Sequence, residues 1–80
     1  MKIERIISSF DKETEKLIGE YNVDHISFEV LKSIIKSRKN DPLMYEAYGI
    51  NRKQSEELSQ YIDLKFDFNH YIYELNCFQV

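Results

Sequence analysis

The stretch Tyr61–Phe78, YIDLKFDFNHYIYELNCF, decides the fold because it combines closely spaced aromatic side chains with carboxylates. From Tyr71 onward large apolar residues alternate with other residues, which predicts a strand from His70 to Phe78 after a DLKFDFN connection. One face of this strand is expected to point to the core, and it carries Tyr71, Tyr73, Leu75 and Cys77. The acidic residues of the stretch can then line the water-facing side.

Two more strands are predicted toward the N-terminus. Lys2 to Phe10 is rich in β-forming isoleucine with polar residues between. Residues 15–21 fit either a helix or a strand, since Leu17, Ile18 and Tyr21 have helical spacing. Gly19 would cost such a helix about 1 kcal/mol, and the first strand needs an antiparallel neighbour, so we favour a hairpin.

Two helices are predicted in the middle of the chain. The first runs from Ser27 to about Lys39, with Ser27 as its N-cap, and ends at Asn40-Asp41-Pro42. The second starts at Asn51, with Gln54 placed for a capping box, and runs to near Asp63 with Leu58, Tyr61 and Ile62 on its buried side. Between them, Leu43 to Ile50 is expected to be a strand with Tyr45 and Ala47 on one face and Met44, Glu46 and Tyr48 on the other.

The predicted fold is a single α+β domain over residues 1–80. Its element order is ββαβαβ, with a mainly antiparallel four-stranded sheet and two helices packed on one face. The order of the strands within the sheet does not follow from the pattern.

The charge of the chain narrows the class of partner. With 11 Lys and Arg against 14 Asp and Glu, the net charge is −3, which argues against direct nucleic-acid binding. It is compatible with a basic protein partner, because opposite charges speed encounter. The start of the sequence, MKIERIISSF, has no long apolar run, so we expect no membrane anchor and a cytoplasmic location.

The sequence shows no catalytic constellation. Cys77 is the single cysteine and is expected to be a small core residue, while His25 and His70 are isolated from each other. The spacing of Asp63 and Asp67 is weak evidence for a metal, and no glycine-rich phosphate loop is present. We therefore predict a protein that is not an enzyme and has no catalytic residue, metal or cofactor.

Tyrosines next to carboxylates form the most informative surface pattern. Six tyrosines and no tryptophan are present, and tyrosine tolerates half-burial because its hydroxyl stays in water. Aromatic rings beside acids suit the capture of a basic protein surface, although any one tyrosine could equally be a core edge. The partner-binding surface is predicted to include Glu46, Tyr48, Glu56, Glu57, Tyr61, Asp63, Asp67 and Glu74.

The segment DPLMYEAYGI at Asp41–Ile50, followed by a capped helix and the YIYELNC strand, resembles small bacterial immunity proteins of polymorphic toxin and contact-dependent growth inhibition systems. The resemblance implies a cytoplasmic antitoxin that binds the C-terminal domain of its cognate toxin. Such a toxin domain is commonly a nuclease, and the antitoxin blocks its active site or substrate path. The alternative is a small non-catalytic regulatory or dimerising interaction module.

Overall fold

The computed structural model describes residues 2–80 as four strands and two helices in the predicted order. The elements are β1 (Ile3–Asp11), β2 (Leu17–Asn22), α1 (Phe28–Ile35), β3 (Tyr48–Gly49), α2 (Arg52–Leu58) and β4 (Tyr71–Gln79). The strands form one antiparallel sheet in the order β2-β1-β4-β3. The α+β class and the ββαβαβ order are therefore confirmed.

The β1–β2 hairpin resolves the ambiguity over residues 15–21 in favour of a strand. The turn is held by the Asp11 carboxylate, which accepts hydrogen bonds from the backbone amides of Glu13 and Thr14 at 2.9 Å. Glu15 adopts a positive φ of 62° and donates its amide to the Asp11 carbonyl. The register shifts between Ser9 and Phe10, where β2 carries one extra residue.

The sheet has two different faces, which follow from the register. Ile7 pairs with Tyr21 on one side and with Leu75 on the other, and directly paired residues share a face. Ile7, Tyr73 and Leu75 belong to the core cluster together with the buried residues of both helices. Both helices therefore pack on the face formed by the odd-numbered residues of β1 and β4, as predicted.

The first helix begins as predicted and ends early. Ser27 is its N-cap, with its hydroxyl accepting from the Val30 amide, but the helix stops at Ile35 and not at Lys39. Lys36 leaves the helical conformation with a φ of 64°. The amide of Arg38 then donates to the Tyr48 hydroxyl at 3.0 Å, so a tertiary partner replaces the helical one.

The strand predicted over Leu43–Ile50 is wrong except for Tyr48 and Gly49. The Asp41 carboxylate accepts hydrogen bonds from the backbone amides of Tyr45 and Glu46. These amides are therefore not available for hydrogen bonds to a neighbouring strand. Met44 sits inside this turn with a φ of 55° and is buried. A local side-chain bond thus outcompetes the β-propensity of the segment.

The second helix has the predicted capping box between Asn51 and Gln54, but it ends at Leu58 and not near Asp63. After Leu58 the amides of Gln60 and Tyr61 bond to carbonyls three residues back, which is a turn and not an α-helix. Tyr61 is 46% exposed, so its predicted burial is wrong, whereas Ile62 packs against the core. No helix within residues 2–80 has the length and apolarity needed to cross a membrane.

Candidate protein interface

The eight residues predicted for the interface do not come together on one surface. Tyr48 is 5% exposed, and its hydroxyl donates to the Asp41 carboxylate at 2.7 Å. It is therefore a core residue and not a surface ring. Glu46 lies in the adjacent turn and is exposed, and its backbone amide donates a hydrogen bond to the Asp41 carboxylate.

Another group of the predicted residues lies along α2 and its exit, on the helix-covered side. This group is exposed and consists of Glu56, Glu57, Tyr61 and Asp63. Asp67 is held in the loop before β4, because its carboxylate lies 2.7 Å from Nδ1 of His70. That contact is the main cause of the lowered pKa of Asp67.

Glu74 lies on the opposite side of the sheet from the helices. It pairs with Ser8 across β1–β4, one position away from the core pair of Ile7 and Leu75. Successive side chains of a strand alternate between faces, so Glu74 points away from the helices. A single surface that includes both Glu74 and the carboxylates of α2 is thus not formed.

The candidate reactive groups are spread over separate places. Cys77 is half-buried on the helix-covered face, beside a hollow of about 210 Å³ that Ile3 and Tyr45 also line. His25 Nε2 contacts the carbonyl oxygen of Tyr61 at 3.0 Å, and His70 contacts Asp67. Within residues 2–80 no group of three or more His, Cys, Asp or Glu could hold a metal ion.

The surface that stands out is the sheet face without helices, which we call the open face. We define it by the side chains that share a face with Ser8 in the strand register. Its members are Glu4, Ile6, Ser8, Phe10, Leu17, Ile18, Glu20, Asn22, Ile72, Glu74, Asn76 and Phe78. Leu17 and Ile18 both belong to it because the bulge places two β2 residues beside Phe10.

Apolar side chains on the open face are unusually exposed. Leu17 and Ile18 are 51% and 54% exposed, and Ile72 and Phe78 are 44% and 43% exposed. Single exposed apolar residues are ordinary, but adjacent ones on one face are typical of interaction surfaces. Phe10 is the direct cross-strand partner of both Leu17 and Ile72, so these three side chains are neighbours, whereas Phe78 pairs with Glu4 at the other end of the strands.

The open face is also acidic. One row across the sheet runs from Glu20 through Ser8 to Glu74. Ser8 is only 2% exposed, and its hydroxyl accepts a hydrogen bond from Asn76. Among the residues described in β1, β2 and β4, the charged side chains directed to this face are all glutamates: Glu4, Glu20 and Glu74.

A shallow hollow marks where the apolar and acidic features meet. It has a volume of about 310 Å³ and is lined by Phe10, Glu15, Ile72 and Glu74. Its lining therefore combines two apolar side chains with two carboxylates. This combination suits the side chain of lysine or arginine, whose stem is apolar and whose head is cationic.

The sequence-based interface missed most of this surface. Only Glu74 of the eight predicted residues belongs to it, because the tyrosines that lie beside acids in the sequence are in the core, on the helix-covered side or in turns. The signal present in the sequence was the alternation in β1 and β4. The second apolar set, Ile6, Phe10, Ile72 and Phe78, occupies the positions between the core residues.

The profile of a domain of unknown function, DUF7683, matches residues 4–76. The match spans β1 through most of β4, so the chain belongs to this family. No curated protein matches the chain significantly.

Proposed function

We propose that this member of the DUF7683 family is an immunity protein that binds and neutralises a basic toxin domain by stoichiometric association. The partner is a cognate toxin C-terminal domain, with a nuclease as the leading class, and the protein acts in the cytoplasm. Binding, and not catalysis, is the proposed mode of action. The family membership itself carries no function, so the proposal depends on the surface and on the sequence resemblance.

The observation that carries the proposal is the acidic and apolar open face. Exposed apolar side chains provide area that a partner can bury, while Glu20 and Glu74 provide charge that is complementary to lysine and arginine. A nuclease domain needs a basic surface to bind phosphates, and an acidic protein can occupy that surface. The net charge of −3 adds attraction at longer range.

The first experiment is to pull a tagged copy from its native host and identify co-eluting proteins by mass spectrometry. We expect a basic toxin C-terminal domain in one-to-one stoichiometry. Recovery of the protein alone, or with an unrelated assembly, would contradict the immunity function.

A matched pair of charge reversals tests which surface binds the captured partner. In the double variant Glu20→Lys with Glu74→Lys, we expect slower association and weaker protection of cells. The control Glu56→Lys with Glu57→Lys makes the same charge change on the helix-covered side and should bind with nearly unchanged affinity. The open face is rejected if the control loses affinity and the open-face variant does not.

A second candidate function, a dimerising regulatory module, is favoured by one observation. β2 lies at an edge of the sheet and carries large apolar side chains that are exposed to solvent. Exposed edge strands can pair with a second copy. A stable homodimer in sedimentation analysis, together with no captured toxin domain, would favour this function.

A further inference from the structure

We propose that the partner docks by adding an antiparallel strand to the free edge of β2, with a segment in which basic and apolar residues alternate. This inference rests on the proposed function and specifies how the basic partner is held.

The backbone groups of β2 alternate between β1 and the outside. The amide of Val23 donates to the carbonyl of Arg5 at 2.9 Å, so the odd-numbered residues of β1 face β2. On the other side of β1, the amide of Lys12 donates to the carbonyl of His70, and the amide of Val80 donates to the carbonyl of Lys2. The backbone groups of the even-numbered residues of β1 therefore point to β4. By the same antiparallel alternation, Gly19 and Tyr21 bond to β1, and Glu20 and Asn22 direct their N–H and C=O groups outward, whereas Ile18 lies at the bulge, which interrupts the alternation.

The side chains of β2 are exposed on both faces of the sheet. Leu17 and Ile18 lie on the open face, and Tyr21, which is 40% exposed, lies on the helix-covered face. An edge strand with large exposed apolar residues on both sides is a template for pairing. An added strand would bury both sets at once, since its own side chains also alternate between the faces.

Charge decides between the possible occupants of this edge. The outward-directed residue at the middle of β2 is Glu20, with Glu74 in the same row of the sheet. A second copy paired about Glu20 would place two glutamates directly opposite each other, which is unfavourable. A foreign strand with lysine or arginine opposite Glu20 and apolar residues opposite Gly19 and Tyr21 pairs the glutamate with a cation and covers the exposed Tyr21 ring, so we assign the edge to the basic partner.

The geometry fixes which amides of the incoming strand must be free. In an antiparallel pair, a residue opposite Glu20 points its backbone groups at β2 and its side chain to the open face. The probe is therefore the acetylated and amidated peptide Lys-Val-Lys-Val-Lys-Val. Two controls of identical charge are N-methylated on the backbone nitrogen of every lysine or of every valine. Methylation of lysine blocks the edge that meets β2, whereas methylation of valine blocks the edge that faces solvent.

The experiment is a titration of the isotope-labelled full chain followed by NMR, with amide hydrogen exchange of β2 in the free and bound states. We expect the amides of Glu20 and Asn22 to exchange quickly in the free protein and to gain protection with the unmethylated peptide. Gly19 and Tyr21 should already be protected. The lysine-methylated peptide should bind about tenfold more weakly or worse, and the valine-methylated peptide should bind like the parent.

Three outcomes would overturn strand addition. If the outward amides are already protected in the free protein in a concentration-dependent way, a second copy occupies the edge. If the peptides bind without protecting these amides, or if both methylated forms bind alike, recognition uses side chains alone. If none of the peptides binds, the edge does not take a basic strand. The proposed immunity function is judged separately by the co-elution experiment, and a captured toxin whose complex leaves the β2 amides unprotected would preserve the function and reject the strand.

Discussion

Asp41 organises the segment that follows α1. It is 6% exposed, and its carboxylate accepts hydrogen bonds from the amides of Tyr45 and Glu46 and from the Tyr48 hydroxyl, at 2.7–3.0 Å. Burial alone would raise the pKa of this carboxyl, but the bonds from Glu46, Tyr45 and Tyr48 outweigh it and lower the pKa. The pattern D-P-L-M-Y-E-A-Y thus marks a side-chain-stabilised turn.

Tyr48 is expected to contribute to stability through its hydroxyl. The variant Tyr48→Phe should lower the urea midpoint of unfolding, because it leaves the Asp41 carboxylate and the Arg38 amide each without one buried partner. The control is Tyr45→Phe, which removes a hydroxyl from a side chain that is 47% exposed and should leave the midpoint nearly unchanged. Equal midpoints for the two variants would show that the Tyr48 hydroxyl adds nothing to stability.

At the scale of elements, the start of α2 depends on reciprocal bonds between Asn51 and Gln54, with donor–acceptor distances of 2.9 and 2.8 Å. The variant Asn51→Ala should lower the free energy of unfolding by about 1 kcal/mol, the usual effect of losing an N-cap. The control Asn40→Ala makes the same replacement at an exposed position and should have an effect within about 0.5 kcal/mol. Urea denaturation followed by circular dichroism measures both, and similar losses in the two variants would argue against a specific capping effect.

The helix layer holds to the sheet through buried leucine and isoleucine. The variant Leu31→Ala removes a side chain that is 1% exposed and should lower the free energy of unfolding by about 2–5 kcal/mol. Leu43→Ala, at a position that is 50% exposed, is the matched control and should change it by about 0.5 kcal/mol or less. If chemical denaturation shows the same loss of unfolding free energy for both variants, the assignment of Leu31 to the core is wrong.

For the whole molecule, four aspartates make stability depend on acid pH. Hydrogen bonds from the backbone amides of Thr14 and Glu13 lower the pKa of Asp11 from 3.8. A hydrogen bond from the Arg5 amide lowers the pKa of Asp24. The hydrogen bond with the His70 ring lowers the pKa of Asp67. The pKa of Asp41 is lowered as well. Because the unfolded chain takes up these protons at higher pH than the folded one, their contribution is present above about pH 4 and is lost as the pH falls through the folded values.

We therefore expect the urea midpoint to be nearly constant from about pH 7 to pH 5 and to drop between about pH 4 and pH 2. The quadruple replacement of these aspartates would disturb the fold, so the check uses the single variant Asp11→Asn, which removes one of the depressed carboxyls in an exposed turn. Its midpoint should fall less steeply with acid than that of the natural chain. Parallel curves would exclude Asp11 from the effect.

Two tyrosines produce the opposite dependence at alkaline pH. Burial raises the pKa of Tyr48 above 10.0, and the hydrogen bond to Asp41 and its charge raise it further. Burial also raises the pKa of Tyr73, and the charge of Asp67 adds to this effect. Their neutral forms therefore support the fold below about pH 10, and this support is lost as the pH rises further, because the unfolded chain ionises first. Absorbance at the tyrosinate band should show these two rings ionising together with unfolding, whereas ionisation in a folded chain would contradict their burial.

The sequence by itself determined the elements whose signals are local. The helix caps at Ser27 and Asn51, the hairpin at residues 15–21 and the inward set of β4 were all predicted, because capping and alternation depend on neighbouring residues. The α+β class followed from the order of these elements. The ends of both helices and most of the predicted third strand were wrong, because partners distant in sequence or local side-chain bonds replaced the regular backbone ladder.

Only the tertiary structure decided which residues share a surface. The placement of β1 between β2 and β4 brings Glu20 and Glu74 into one row, although 54 positions separate them in the chain, and it leaves β2 at an edge. The same sheet separates Glu74 from Glu56 and Glu57, which the sequence-based interface had joined. Strand order and pairing register depend on contacts between distant segments, and a pattern read along the chain contains no distances across it.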